Sequence, residues 1–329
     1  MIKPAYKLTI GTKAVDTTLE PKASTLVDLT VSLDMDTPAD SFCLVLGNLQ
    51  GIKPSMGDEA AIDLGYADGL SQVIRGKVIS VESGLTSTRV IGHSPASNLL
   101  RYFYDNTYQG KKAGEIVREL AGQAGVAVAS VQEGTAFPAY VVDGRQSAYR
   151  HMRDLADLSG FDLYLNWEGK LVFEAYAGGK IIHVLEYGKH ILELEVQHAQ
   201  LRAESVEAWG ESPGGGKAAL AWSWLTKDFQ GSMGSAGEGT PKLLVERSSL
   251  RTAEAAQAAA QAIHTNAQRQ AVRGRLLVQG AAQIRLGDAV RLVGVSEDLD
   301  KTYQVRAVTH RLTKSGGFTT AVGFRSVEA

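Results

Sequence analysis

From Tyr6 to about Gly92, apolar and polar positions alternate in short runs broken by Gly, Asp and Ser turns, the pattern of successive half-buried strands. The stretch Ser24–Leu33 is rich in β-branched residues, Asp40-Ser41 opens the next strand, and Gly47-Asn48 closes it. Strands at this spacing predict a small barrel or sandwich with one wet face. The period changes near Leu100. Ala113, Ile116, Val117, Leu120 and Ala121 recur at helical spacing, with Gly125 as a stop. A second helix is predicted from Ser147 to Ser159, ended by Gly160. Then Phe161–Trp167 alternates, Glu168-Gly169 turns the chain and Leu171–Glu174 returns, a hairpin signal. These segments predict a compact α+β unit from about Leu100 to Tyr187. Strand pattern resumes at His190–Val196, and a Gly/Ser-rich excursion follows between Ser212 and Thr240. Ala253 to about Gln270 is alanine-rich and helical, with Thr252 as N-cap and Glu254 in the first turn.

Two distant stretches read as copies of one β-unit. The first runs from Gly57-Asp58 through Ala61–Leu64 and Gly76–Val81 to Arg89-Val90-Ile91-Gly92. The second runs from Gly287-Asp288 through Val290–Val293 and Tyr303–Val308 to Thr320-Ala321-Val322-Gly323. Each predicts three short strands, and the shared order predicts a duplication within the chain.

Length adds to this picture. With 329 residues the chain exceeds the size at which single cores stop growing, so two or three domains are expected. A net charge of −2, from 34 basic and 36 acidic residues, excludes a nucleic-acid-binding surface over the whole molecule, and no specific nucleic-acid binding is expected. The single Cys43 forms no internal disulfide and reads as an inert thiol in an apolar run. The N-terminal residues carry no signal-peptide pattern, and no apolar run is long enough to span a bilayer. Folding in a cytoplasm without a membrane anchor is therefore expected.

Candidate chemistry is sparse. No GxSxG, Walker loop or HExxH occurs. His183, His190 and His198 match no metal-site spacing, so neither metal nor cofactor is expected. Asp154 and Asp157, beside His151, read as the solvent face of an amphipathic helix. Arg269, Arg273 and Arg275 form a basic run, read as a solvated helix end leading into a strand, with a phosphate contact as the alternative. Trp222 and Trp224 share one face if their segment is a strand. They either anchor an interface or plug this protein's own barrel, and they are the candidate interface residues.

The order of elements resembles a known family, the baseplate hubs of contractile phage tails (late control gene D proteins) and the N-terminal hub part of type VI secretion VgrG spike proteins. The residues that carry the resemblance are Gly57–Tyr66 with Ile74–Val78, Ala113–Val117 with Ala121–Gly125, and Met152–Ala156 leading into Gly160-Phe161. Gly169–Phe173, Gly287–Val290, Tyr303–Val305, Val308–His310 and Gly317–Thr320 follow in family order. The resemblance implies a mainly β chain with an α+β insertion: two related small β-barrels plus a central α+β domain. Residues 1–99 would be the first barrel and 100–187 the central domain. Residues 188–329 would be the second barrel, carrying the 212–240 excursion and the 253–270 helix. It further implies a non-enzymatic homotrimer in a virion tail or injection-system baseplate, an adaptor between a sixfold tube and a threefold spike. Its partners would be a spike protein, a tail tube or tube-initiator protein and other baseplate proteins. The sequence stops just after the second barrel segment, so the spike is expected to be a separate chain. Rival readings are a tail-associated cell-wall hydrolase, for which no facing carboxylate pair is evident, and a carbohydrate- or receptor-binding module resting on Trp222 and Trp224.

Overall fold

The computed structural model describes residues 3–20, 24–47, 53–210, 212–213, 225–226 and 233–328. The N-terminal part contributes β1 (Pro4–Ile10), β2 (Lys13–Asp16), β3 (Leu26–Asp34), β4 (Ser41–Gly47), β5 (Glu59–Tyr66), β6 (Gly69–Ser83) and β7 (Ser87–His93). The central part contributes α1 (Ala96–Arg101), β8 (Asn106–Lys112), α2 (Ala113–Gln123), β9 (Val128–Val131), β10 (Ala136–Val142), α3 (Ala148–Ser159), β11 (Asp162–Leu165) and β12 (Leu171–Glu174). After it come β13 (Ile182–Glu186), β14 (Ile191–His198), β15 (Ser205–Trp209), the short β16 (Ser212–Pro213) and β17 (Leu225–Thr226), β18 (Met233–Gly237), β19 (Lys242–Glu246) and α4 (Ala253–Gln270). The chain closes with β20 (Val272–Gln279), β21 (Ala289–Val293), β22 (Thr302–Thr313) and β23 (Gly317–Ser326).

The alternation in the sequence becomes burial. In β4, Phe42, Leu44 and Leu46 turn inward while their neighbours are half-exposed, as the two-residue strand period requires. The three predicted helices form where expected. Gly160 ends α3 in a left-handed conformation, its N–H bonded to the Ala156 carbonyl, and the Thr252 hydroxyl caps α4 by accepting from the Ala255 N–H. The predicted hairpin is β11 with β12. Its turn is held by the Asn166 carboxamide oxygen, which accepts from the Glu168 and Lys170 amides.

Two closed barrels were the expectation, but among the described residues no sheet closes into one. Two six-strand sets, ordered β3-β4-β7-β6-β5-β1 and β14-β20-β23-β22-β21-β13, merge instead, with β2 added beside β1, into one 13-stranded sheet, because β22 pairs antiparallel with β3. A strand has two edges; β3 uses one on β4 and the other on β22, and neither is left for β1. Each set still curls until its ends approach. In the first, the Tyr6 hydroxyl of β1 donates to Ser24 Oγ at 3.1 Å and accepts from the Leu26 amide at 3.4 Å. In the second, Tyr187 after β13 bridges Ile191 at the start of β14.

The duplicated segments occupy matching places, β5-β6-β7 and β21-β22-β23, each an antiparallel meander. The middle strands are long rather than short, 15 and 12 residues. One hydrophobic core fills the curled sheet. A second joins the central helices to β15, β18 and α4. Ala255, Ala256, Ala259 and Ala260 of α4 are buried there, and the helix lies so close to β18 that a Cβ on Gly234 would meet the Gln257 amide nitrogen at 2.2 Å.

Candidate functional site

The densest chemistry lies where α3, β11 and α4 meet β22 and β23. Asp162 opens β11 and is buried. It accepts hydrogen bonds from Gln304 and Arg306 of β22 and, at 3.2 Å, from Arg325 of β23. Arg325 also donates to Gln304 at 2.7 Å and to Asn266 of α4 at 2.6 Å. Arg306 reaches on to Asp36, just past β3, and Arg153 of α3 donates to the Met35 carbonyl at 3.0 Å and to Asp36 at 3.4 Å. A charged relay thus fastens the central part to both strand sets. Arg306 reaches it because it is the extra residue of a β-bulge: the β22–β23 register shifts between Val305 and Ala307, which re-aims the intervening side chain.

The electrostatics follow from burial and pairing. Burial, with Arg306 alongside, draws the Arg325 guanidinium down to about 10, so it stays charged at neutral pH. The Asp36 side chain is more than half exposed; partial desolvation by its neighbours works to raise its carboxyl, but Arg306 and Arg153 hold it below its ordinary value.

A second feature is an apolar surface. Ile182 and Val184 on β13, with Ile181, Tyr187 and Leu192 beside them, are all at least half exposed. Among the described residues β13 pairs only with β21, in parallel, so its other edge is unpaired. The Ile182-His183-Val184 alternation was the sequence signal for this strand.

The histidines do not converge. His183 Nε2 lies 2.9 Å from Asp288, His190 Nδ1 accepts from the Glu186 amide at 3.1 Å, and His198 is exposed opposite Val272. Among the described residues no group of three His, Cys, Asp or Glu side chains could hold a metal, and no helix is long and apolar enough to cross a membrane.

The solvent-face reading of α3 needs correction. His151 is buried, its Nε2 3.2 Å from the Asp143 amide, because α3 packs this face on β10. Asp154 accepts from the Tyr140 hydroxyl at 3.2 Å and from Arg247 at 3.2 Å; only Asp157 is exposed, paired with Arg153. The basic run also divides. Arg273 and Arg275 are exposed on β20, whereas Arg269 lines a cavity of about 320 Å³ beside the relay. Trp222 and Trp224 lie outside the described residues.

The fold is shared with solved tail proteins over nearly the whole chain. The 43 kDa tail protein of prophage MuSo2 from Shewanella oneidensis has 15% identity and a TM-score of 0.74, with 97% of this chain and 98% of that one covered. The tail protein from Neisseria meningitidis MC58 has 14% identity and a TM-score of 0.74, with coverages of 99% and 97%. The E. coli c3393 protein, a type VI secretion component described as structurally similar to T4 tail proteins gp27 and gp5, has 11% identity and a TM-score of 0.60 over 97% of this chain and 76% of its own. At such identities the likeness is one of fold. No curated protein matches the sequence. A family model does, over residues 30–314, and its description is unrelated to tails. By that match the chain belongs to the family described as the Alg8 N-terminal domain.

Proposed function

We propose that the chain is a structural, non-enzymatic hub of a contractile phage tail or related injection system, a trimeric adaptor between a sixfold tube and a threefold spike. The observation that carries this reading is the correspondence of the two six-strand sets within one chain. Three copies then present six similar faces to a tube and three identical ones to a spike, which resolves the symmetry mismatch without a second gene product. We read each curled set as a barrel-derived unit, the first within 1–99 and the second within 188–329 with β13 added from the end of the 100–187 segment, which otherwise forms the central domain. The partners are further copies of the chain, a spike protein, a tail tube or tube-initiator protein and other baseplate proteins. The setting is a virion or injection-system baseplate assembled in the bacterial cytoplasm. The unpaired, apolar β13 edge supplies a lateral surface for a neighbouring copy. Trp222 and Trp224 are further candidate anchors.

The deciding measurement is mass in solution, alone and with spike and tube partners. A threefold assembly is expected, weakened by Val184→Asp and by the Trp222→Ala, Trp224→Ala double substitution without loss of the fold. A chain that stays monomeric at high concentration and with both partners would sink the reading.

A further inference from the structure

The cavity beside the relay holds one cation that the relay does not use. Arg153, Arg306 and Arg325 line it and are each ion-paired with Asp36, Asp157 or Asp162. Arg269, in the last turn of α4, also lines it, and its buried Nε has no hydrogen-bond partner among the described residues. The same holds for the buried hydroxyl of Tyr176, which lines the same cavity. Burial pushes the Tyr176 phenol up to about 12, so it keeps its proton at neutral pH and can only donate or accept as a neutral group. Four guanidiniums line the cavity with two carboxylates, Asp157 and Asp162; Asp36, outside the lining, pairs with Arg153 and Arg306, and the space ends in two unused donors.

We propose that this cavity binds a single carboxylate group, held by the Arg269 guanidinium and the Tyr176 hydroxyl. A guanidinium presents parallel N–H donors that match the two oxygens of a carboxylate, and the phenol supplies a third donor in the same cavity. Pairing selects the class. Three of the guanidiniums are already ion-paired, so one free fork remains, which a planar carboxylate fills and a phosphate leaves with further oxygens beside Asp157 and Asp162. The volume exceeds that of a lone ion and admits an acidic side chain with part of its backbone. The carboxylate therefore comes either from an acidic residue of a docked chain or from a small free acid. The inference does not depend on the tail reading.

The test uses the full chain in low-salt buffer, with acetate, the capped peptide acetyl-Ala-Glu-Ala-amide, its Gln counterpart and inorganic phosphate as probes in calorimetry and thermal unfolding. The Glu peptide or acetate should bind saturably, and the Gln peptide should not. Arg269→Gln should weaken binding by about tenfold or more, and Tyr176→Phe by a smaller factor. Tighter binding of the peptide than of acetate assigns the source to a docked chain, and the reverse assigns it to a free acid. Without ligand, Arg269→Gln should leave the melting temperature unchanged or raised, since it removes a half-buried cation, with an unpartnered Nε, that repels Arg325. A lowered melting temperature would make Arg269 a structural residue and overturn the proposal. Absent carboxylate binding, equal binding by both variants, or tighter binding of phosphate would overturn it as well.

Discussion

The two strand sets share a strand order but not every direction, since β1 runs antiparallel to β5 whereas β13 runs parallel to β21. In both, a glycine with positive φ (89° at Gly57, 82° at Gly287) precedes an aspartate, and both turns make the same bonds. The glycine amide donates to the Val78 or Val305 carbonyl, and that valine's amide donates back to the aspartate carbonyl. One carboxylate oxygen then caps the amide three residues upstream, that of Ser55 at 2.9 Å or Arg285 at 3.1 Å. Both middle strands carry a bulge just after that valine. The bulged residue in the first set is Ile79, left on the surface; in the second it is Arg306, buried in the relay. A neighbouring pair is exchanged outright. Phe42 of β4 lies opposite Gly92 of β7, whereas at the matching register Gly274 of β20 lies opposite Phe324 of β23. Each pair needs one ring and one bare backbone; which strand supplies the ring is free. Duplication here preserves turns, bulges and volumes, while the side chains that face the central part have diverged.

The relay gives the largest expected effects and the sharpest contrast between its two acids. Asp162→Ala removes the partner of two buried guanidiniums, which should cost about 3–5 kcal/mol. Asp36, by contrast, has an exposed side chain, and Asp36→Ala should cost about 0–1 kcal/mol. Denaturant unfolding measures both. Equal costs would mean that the central part is fastened to the first set as strongly as to the second.

The exchanged pair is tested by exchanging it again. Phe42→Gly deletes a fully buried ring and should cost about 3–5 kcal/mol. Gly92→Phe meets the Phe42 ring, which lies 2.0 Å from where its Cβ would sit, and also the Lys77 carbonyl at 2.6 Å. With both changes the ring clash is gone and the arrangement of the second set is copied. The double variant should then be more stable than Gly92→Phe alone. If it is no better, the backbone approach to Lys77 dominates and the two sets are not interchangeable at this position.

Much of this was legible from the residues, and the gaps have physical causes. Helix ends were readable because Gly160 and Thr252 are local devices, and the meanders because the strand period is local. The closing glycines Gly92 and Gly323 look equivalent, yet the register sets Gly92 against Val78 and Gly323 against Ala307, one step past the bulge. Both copies carry that bulge, so the two glycines are not equivalent: Gly92 lies opposite the residue before it and Gly323 opposite the residue after it, a difference of register that a matched glycine in the sequence does not reveal. The relay was invisible for a different reason. Asp162 meets residues more than 140 positions away, and nothing local marks the first residue of a short strand as a buried anion. On α3 the solvent-face reading holds for Asp157 but fails for His151 and Asp154, because β10 and Arg247 cover a face that the charge pattern assigned to water.

The sets should also respond to pH in opposite directions. In the first, burial lifts the Asp40 carboxyl to about 7, so the folded state holds its proton more tightly than the unfolded state does. Stability from this group is full below about pH 4 and declines as pH rises through 7. The matching position in the second set is Val272, which does not titrate. There, burial takes His310 down to about 3. The unfolded chain protonates this histidine first, so stability declines as pH falls below about 6.5. Between about pH 4 and 6.5 the two slopes oppose one another, so unfolding free energies measured from pH 4 to 9 should rise with pH in that window in Asp40→Asn and fall with pH there in His310→Gln. The reverse pattern would misassign both groups.

The smallest predicted difference separates the two turn aspartates. Each carboxylate caps one upstream amide, so Asp58→Ala should cost about 0.5–1.5 kcal/mol, the ordinary worth of such a bond. Asp288 does more. It is buried, and His183 of β13 lies 2.9 Å from the same oxygen that caps Arg285. In the first set that neighbour's place is taken by Gly11, whose α-carbon side faces Asp58 with no group to bond it. Asp288→Ala should therefore cost roughly 1 kcal/mol more than Asp58→Ala, because it also strands the His183 ring. His183→Ala in the Asp288→Ala background should then add little, while His183→Ala alone costs the missing increment. If the two aspartates prove equal, the His183 contact contributes nothing net, and the turn is held by the same bonds in both copies.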